Sequence, residues 1–284
     1  PSVPVEKRAW LEPLSVWNQA WFSTQRSANG LLRLARHRGD AGLERRPRLM
    51  TELALVAPES DGLFPSVYTT AERDKRRYRI PYAEVPGWDK GRWSNSDRRP
   101  KEVSEDAFHL VDAAFTARML LEWDALTGGE PRAVKRAVRL ADRLLRLQRP
   151  SGAFPGWVEP DGRVHETLAE GPESAVSASL MLDLCARFPD RSDWKEAAHK
   201  ALRFLAEDPV AQGRWEDFET YWSCCRWRSG TQVGRKVERN GVYKQNTLSP
   251  FWCAEAFLAA HRVPDWKSEG WLDLGRRCLD ELSL

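Results

Sequence analysis

An all-α toroid of stacked αα-hairpins is the fold class this sequence predicts, and three observations predict it. A short phrase recurs, first as Asp61-Gly62-Leu63-Phe64-Pro65, then as Ser151-Gly152-Ala153-Phe154-Pro155, then as Gln212-Gly213-Arg214-Trp215-Glu216. A turn glycine, a spacer and an aromatic at a repeated place indicate that one structural unit is reused. Helical stretches that are apolar nearly all round alternate with stretches that carry a single apolar stripe. Strand signals are scarce.

The elements follow in order. Buried, inner helices are expected to start near Trp21, Asp106, Ser174 and Pro250, and amphipathic, outer helices near Ala41, Pro131, Asp193 and Asp265. Asp106 to Leu126 carries Ala107, Phe108, Leu110, Val111, Ala113, Ala114, Phe115, Met119, Leu120 and Leu121, and Ser174 to Cys185 is similarly apolar. Arg132 to Gln148 instead places Ala133, Ala137, Leu140, Leu144 and Leu147 on one face of a charged helix. Pro131 and Pro250 suit first-turn positions and Asp193 suits an N-cap. Arg79-Ile80-Pro81-Tyr82 and Val233 to Tyr243 are the places where strands can pair, with Asn240-Gly241 a hairpin turn. The expected organisation is one toroid domain over residues 1–284, with small β-hairpins and a basic insertion at 67–104. Four hairpins are legible, and a closed six-hairpin barrel needs more chain. Either the toroid is incomplete in this piece or another segment completes it. An open solenoid of the same hairpins is the alternative.

With 284 residues the chain can bury a sizeable core without disulfides. Its 44 basic and 41 acidic residues nearly cancel, so the whole-protein basic footprint of a nucleic-acid binder is absent. No apolar run reaches membrane-spanning length and no signal peptide is present. The chain opens Pro1-Ser2-Val3-Pro4 without an initiator Met and reads as a processed or excised piece. The compartment is left open, a secreted or periplasmic setting among the options. The cysteines at 185, 224, 225, 253 and 278 form no CxxC pair and have no His at zinc-ligand spacing. No metal and no cofactor are expected. The 14 Trp read either as core filler or as aromatic surfaces lining a pocket.

The alternating hairpins, together with Gln148-Arg149-Pro150-Ser151-Gly152-Ala153-Phe154-Pro155-Gly156-Trp157, resemble the six-hairpin glycosidase and polysaccharide lyase superfamily. Terpene cyclases and protein prenyltransferases share the toroid, but the DDxxD and DxDD signatures that those cyclases need are missing. N-acylglucosamine epimerases rely on paired His, and the five His here fall in no matching arrangement. The resemblance implies a sugar substrate at one end of the barrel, where loops leading into the inner helices supply carboxylates or a Tyr/His pair.

Five stretches carry residues suited to such chemistry. In Ser104-Glu105-Asp106-Ala107-Phe108-His109, Asp106 and His109 are expected to share a helix face as base and orienter, against the plainer reading of a capping acid and a core histidine. Gly213 to Trp222 sets Glu216, Asp217 and Glu219 among Trp215, Phe218, Tyr221 and Trp222, the mixture of acids and aromatic faces that sugar sites use. A solvated acidic turn is the plainer reading. In His165 to Ser174, Glu173 stands where a capping acid belongs and also where the resembling toroids present a catalytic acid. Asn240 to Ser249 is polar and amide-rich; Gln245 and Asn246 suit sugar hydroxyls, and Tyr243 suits a lyase base if an Arg lowers its pKa. The insertion mixes Arg73, Lys75, Arg76, Arg77, Arg79, Lys90, Arg92, Arg98, Arg99 and Lys101 with Trp88 and Trp93, a solvated basic loop or a lid whose Arg side chains meet acidic sugars.

The leading functional expectation is a glycoside hydrolase acting on an oligo- or polysaccharide, with an anionic substrate favoured by the basic insertion. Its candidate acids are Asp106, Glu173, Glu216, Asp217 and Glu219. A polysaccharide lyase would instead neutralise a uronate with Arg98 or Arg99 and abstract a proton with Tyr243 or His109. Trp93, Arg98, Arg99, Trp157, Trp215, Tyr221, Trp222, Gln245 and Asn246 are the expected substrate-binding residues. A non-catalytic scaffold that presents a groove to glycan or protein is the third reading. Neither nucleic acid nor membrane is expected as a partner, and the oligomeric state is left open.

Overall fold

The computed structural model describes residues 15–17, 24–69, 91–95, 99–221 and 230–281. Its α-helices form four αα-hairpins: α1 (Thr24–Arg38) with α2 (Ala41–Val56), α3 (Leu110–Thr127) with α4 (Pro131–Leu147), α5 (Ser174–Arg187) with α6 (Ser192–Leu205), and α7 (Leu248–His261) with α8 (Trp271–Asp280). The odd-numbered helices pack in succession, α1 on α3, α3 on α5 and α5 on α7. They are the inner layer. The expected all-α toroid of αα-hairpins with small β insertions is the observed fold.

Composition explains the layering. Along α3 almost every residue from Leu110 to Ala117 is buried, as is most of α5 from Ser174 to Leu182. A helix with no polar face has to be covered on several sides. Helix α4 buries only Ala133, Arg136, Ala137, Leu140, Ala141, Leu144 and Leu147 and turns its remaining, largely charged, surface outward. Its start follows the expected signals: Pro131 lies in the first turn and the Glu130 side chain accepts from Arg132 N–H.

Three helix starts differ from expectation. Helix α3 begins at Leu110 because Phe108 and His109 are drawn into a strand, β4 (Phe108–His109), which pairs antiparallel with β5 (Trp157–Val158). Arg191 is the N-cap residue of α6; the Arg191 guanidinium grips Asp193 at 2.9 and 2.7 Å, so that carboxylate serves an ion pair. Asp265 lies in a single 3-10 turn (Pro264–Trp266), and α8 starts five residues after that turn, at Trp271. A second sheet joins β1 (Ser15–Trp17), β2 (Val67–Thr69) and β3 (Arg92–Ser94) in antiparallel order. The Asn240-Gly241 turn forms as expected: Gly241 has φ +68°, Val237 N–H donates to Val242 C=O at 2.7 Å, and Lys236 bridges to Tyr243. Arg79 to Tyr82, the basic residues Arg73 to Lys90 and Trp88 lie outside the described residues.

The recurring phrase is a wedge between hairpins. Gly62 follows α2 with φ +85°, and a Cβ there would stand 2.4 Å from the carbonyl oxygen of Arg139 on α4. Gly152 follows α4 with φ +96°, and a Cβ would stand 2.4 Å from the carbonyl oxygen of Lys200 on α6. Each turn therefore abuts the outer helix of the next hairpin, at a distance only glycine allows. Gly213, in the third copy, also has positive φ but meets nothing within 4 Å.

Trp123, Trp157, Trp194, Trp215, Trp252, Trp266 and Trp271 are all buried. These tryptophans fill the interior, and the pocket-lining expectation does not hold for them. No helix among the described residues is long and apolar enough to cross a membrane.

Candidate functional site

The first turns of α3, α5 and α7 converge with the segment after the third glycine on a buried cluster of acids around one histidine. His109, Asp112, Glu173, Glu216, Asp217 and Glu219 are each at most 3 % exposed. A buried carboxylate costs several kcal/mol unless it is paired or hydrogen-bonded, so so many acids in one place is a local expense the fold retains.

His109 reaches this position through β-pairing. It lies opposite Trp157 in the register of β4 and β5, and the rings stack with centroids 4.0 Å apart and planes 12° apart. Phe218 closes the other side edge-on at 4.7 Å. Nδ1 lies 3.1 Å from Asp112 Oδ2, and Nε2 lies 3.7 Å from Glu173 Oε2. Neither contact is aligned as a hydrogen bond, so both are ion pairs by proximity. Burial works against the charged ring, but the two carboxylates outweigh it and push the imidazole up to about 9.

Glu173 occupies the N-cap position of α5 yet makes no side-chain cap bond. Its Oε1 accepts from Phe218 N–H at 2.5 Å. Its Oε2 accepts no hydrogen bond from the described residues and faces His109. The capping that sequence assigns to it is absent because the carboxylate turns inward toward these partners. Gly156 makes the turn possible, since a Cβ there would lie 2.8 Å from Glu173 Oε2.

Asp217 is the second anchored acid. Its Oδ1 accepts from Thr220 N–H at 3.0 Å and its Oδ2 from the Ser249 hydroxyl at 2.6 Å. Desolvation first, and then the negative charge of Glu173, raise its carboxyl to about 7. Glu219 adds a smaller push in the same direction. Glu216 accepts from the Tyr221 hydroxyl and, at 2.9 Å, from Gly234 N–H.

Of the expected acids the structure thus brings together Glu173, Asp217 and Glu219, with His109, while the buried Glu216 is taken up by Tyr221 and Gly234. Asp106 stands apart. It is exposed in the turn before β4, does not share a helix face with His109, and its backbone carbonyl accepts from Asn95. Tyr243 is also elsewhere, its hydroxyl on Gln212 Oε1 at 3.2 Å and its ring under Lys236. Trp157, Trp215 and Tyr221 are interior, so none presents a ring face for stacking on a sugar. Asn246 spends its side-chain oxygen on Leu248 N–H and its N–H on the Trp215 carbonyl, while Gln245 is exposed. Arg99 braces its own loop on the Val103 and Ser104 carbonyls and pairs with Glu105. Trp93 is half-buried against Tyr68. Arg98 and Trp222 lie outside the described residues.

Asp112, Thr220, Ser249 and Gly156 were not singled out by sequence. Asp112 had a usable signal, being an acid in the middle of an otherwise apolar helix, where a charge needs a partner. A cavity of about 490 Å³ lies away from this cluster, lined by Arg118, Glu122, Asp183 and Arg187 toward the later turns of α3 and α5. It holds none of the cluster's acids.

No protein-family profile and no curated protein matches the sequence. Solved structures do match. The chain is similar to a D-mannose isomerase, at 11% identity and TM-score 0.58 over 95% of this chain and 60% of that one. It is similar to a family 76 glycoside hydrolase from a bovine Bacteroides thetaiotaomicron strain, at 9% identity and TM-score 0.50 over 94% of this chain and 50% of that one. A possible member of the GH105 family from Salmonella enterica gives 11% identity and TM-score 0.47 over 93% of this chain and 71% of that one. What is shared at these identities is the fold, the six-hairpin glycosidase-like (α/α) toroid. The chain spans between half and two thirds of the length of the first two structures.

Proposed function

We propose that this chain is a carbohydrate-active enzyme, a glycoside hydrolase acting on an oligo- or polysaccharide. One observation carries the reading: two buried carboxylates sit side by side in opposite electrostatic settings. Asp217 retains its proton up to about pH 7, whereas Glu173 faces a histidine that stays cationic at that pH. A carboxyl that holds its proton, next to one set against a cation, suits the two roles of acid and base. Asp217 protonates the departing glycosidic oxygen. Glu173, through the bare Oε2, attacks the anomeric carbon or takes a proton from the water that does; the distance between the carboxyls with substrate bound decides which. The toroid shared with a family 76 glycoside hydrolase is consistent with this chemistry.

The lyase alternative is less well supported. Both nitrogens of His109 face carboxylates, which suits a fixed cation better than a base, and Tyr243 is engaged outside the cluster. The test is a panel of oligosaccharides assayed for new reducing ends, for the near-ultraviolet absorbance of an unsaturated uronate, and for aldose–ketose conversion. Reducing ends alone are expected, lost about 10²–10⁴-fold in Glu173→Gln and Asp217→Asn. Unsaturated product or sugar isomerisation by the wild type would replace this reading.

A further inference from the structure

We propose that His109 is a positioning residue: a fixed imidazolium that aims the Glu173 carboxylate, with Asp112 as its counter-ion and Gly156 as the space in which Glu173 turns. The inference rests on the reading of Glu173 as the anionic partner of Asp217, and it assigns His109, Asp112 and Gly156 roles beyond that reading.

The geometry leaves the ring little choice. Its orientation is set on both faces, by Trp157 stacked at 4.0 Å and Phe218 edge-on at 4.7 Å. In that orientation each ring nitrogen looks at a carboxylate oxygen, Asp112 Oδ2 at 3.1 Å and Glu173 Oε2 at 3.7 Å. A neutral imidazole has one nitrogen that carries a lone pair and no hydrogen. Whichever nitrogen that were, it would be pressed against an anionic oxygen. Only the doubly protonated ring presents a donor to both sides. Such a ring has no lone pair to offer as a base, and its remaining effect is electrostatic and directional.

The second half of the device is in the backbone. Gly156 lies directly after the second glycine phrase, one residue before Trp157. Its carbonyl accepts from Leu110 N–H at 2.9 Å and its N–H donates to Leu168 C=O at 3.2 Å. It is therefore clamped between the start of α3 and the loop that leads into α5. Leu168 on that loop has φ +56°, a left-handed conformation that is strained for a non-glycine residue. Strain of this kind persists where surrounding structure over-determines it. The clamp holds the glycine so close that a Cβ would lie 2.8 Å from Glu173 Oε2. The nearest atom in the way is the far end of a side chain, so an added methyl group displaces chiefly the carboxylate, with a few tenths of an ångström asked of the Leu168 carbonyl 3.3 Å away. At 3.7 Å the His109 contact holds Glu173 without filling the lone pairs of Oε2 with a hydrogen bond.

The charged groups that bear on this unit are Asp112 from α3 and Glu173 at the start of α5; from the segment after α6 comes Asp217, on which Glu173 and Glu219 both act. The imidazole nitrogens of ¹⁵N-labelled protein report on it directly, with the His109 signals assigned by their loss in His109→Gln. Both nitrogens are expected to carry protons at pH 8, where exposed histidines are neutral. Gly156→Ala is expected to keep the wild-type melting temperature to within a few degrees, lower the His109 titration midpoint, and cut reducing-end release on the oligosaccharide panel about 10²-fold. Asp112→Asn should also lower the midpoint, and Gly156→Ala serves alone if Asp112→Asn does not fold. A merely structural histidine would leave the midpoint of Gly156→Ala unchanged, and that result, or a neutral His109 at pH 7 in the wild type, overturns the proposal. The two readings fail separately. A cationic, Gly156-sensitive His109 in a protein that cleaves no glycoside sinks the hydrolase and keeps the device. A neutral His109 in a protein whose hydrolysis depends on Glu173 does the reverse.

Discussion

Glu173 stands where a helix would use it as a cap and is used otherwise, its carboxylate turned toward His109 and Phe218. The consequence at the residue scale is an unusual pH dependence. Asp217 has an ordinary value of 3.8 and is raised to about 7. The folded state thus holds that proton more tightly than the unfolded chain. The associated stability is present below about pH 4 and is lost as the pH rises to about 7. His109 has an ordinary value of 6.5 and is raised to about 9, so its contribution is complete below pH 6.5 and is lost between there and about 9. Both work in one direction, and the melting temperature is expected to fall steadily from pH 5 to pH 9. Asp217→Asn, which is neutral at every pH, should flatten the part of that fall below pH 7, and His109→Gln the part above it. Calorimetry across this range checks both slopes. Parallel curves for wild type and Asp217→Asn would mean that Asp217 titrates as an ordinary carboxylate. Glu216, Asp217 and Glu219 were recognisable in the chain as acids among aromatics. That the acids would be buried, and the aromatics with them, was not, because local composition is the same for a solvated acidic turn.

At the scale of the element, the glycine–aromatic phrase does two different things. Gly62 and Gly152 are wedges against the carbonyls of Arg139 and Lys200, whereas Gly213 is sterically open. Gly62→Ala and Gly152→Ala should each cost ~2–4 kcal/mol through overpacking and the positive φ together, and Gly152→Val more. Gly213→Ala should cost only about 1 kcal/mol, from its φ of +63°. Urea unfolding midpoints separate these values; equal costs at all three sites would show that no wedge exists. The repetition itself was plain in the sequence. The difference between the copies was visible only as the replacement of Phe-Pro by Trp215-Glu216, and its physical reason is the presence or absence of a helix backbone opposite the glycine. The start of α3 was misplaced for a related reason, since Phe108 and His109 pair with a strand that lies about fifty residues further along the chain.

Across the whole molecule, three of the inner helices are tied together by one arginine. Arg118 on α3 meets Asp183 on α5 at 2.7 Å and Glu255 on α7 at 2.9 Å, and only 11% of its side chain is exposed. Its acidic partners are themselves partly solvated, which limits the worth of each pair. Removing the cation nevertheless leaves two carboxylates facing each other across three helices. Arg118→Met is expected to lower stability by about 1–2 kcal/mol, read as a lower urea midpoint with an unchanged m value. A change in m would indicate instead that the helix array comes apart in steps. The acid cluster, gathered at the first turns of the same helices, should be untouched by this substitution.

Helix periodicity, turn glycines and the alternation of buried with striped helices are properties of short stretches, and they were enough to specify hairpins, layers and toroid. The candidate cluster depends on distances between residues remote in the chain. Strand register sets His109 on Trp157, a missing Cβ at Gly156 admits Glu173, and Ser249 on α7 reaches Asp217. None of these pairings leaves a periodic trace, so Asp112 went unremarked, Gly156 was given no role of its own and Asp106 stood among the candidate acids. Charge in this protein is settled by burial and by what stands opposite, and both are supplied only when the hairpins pack.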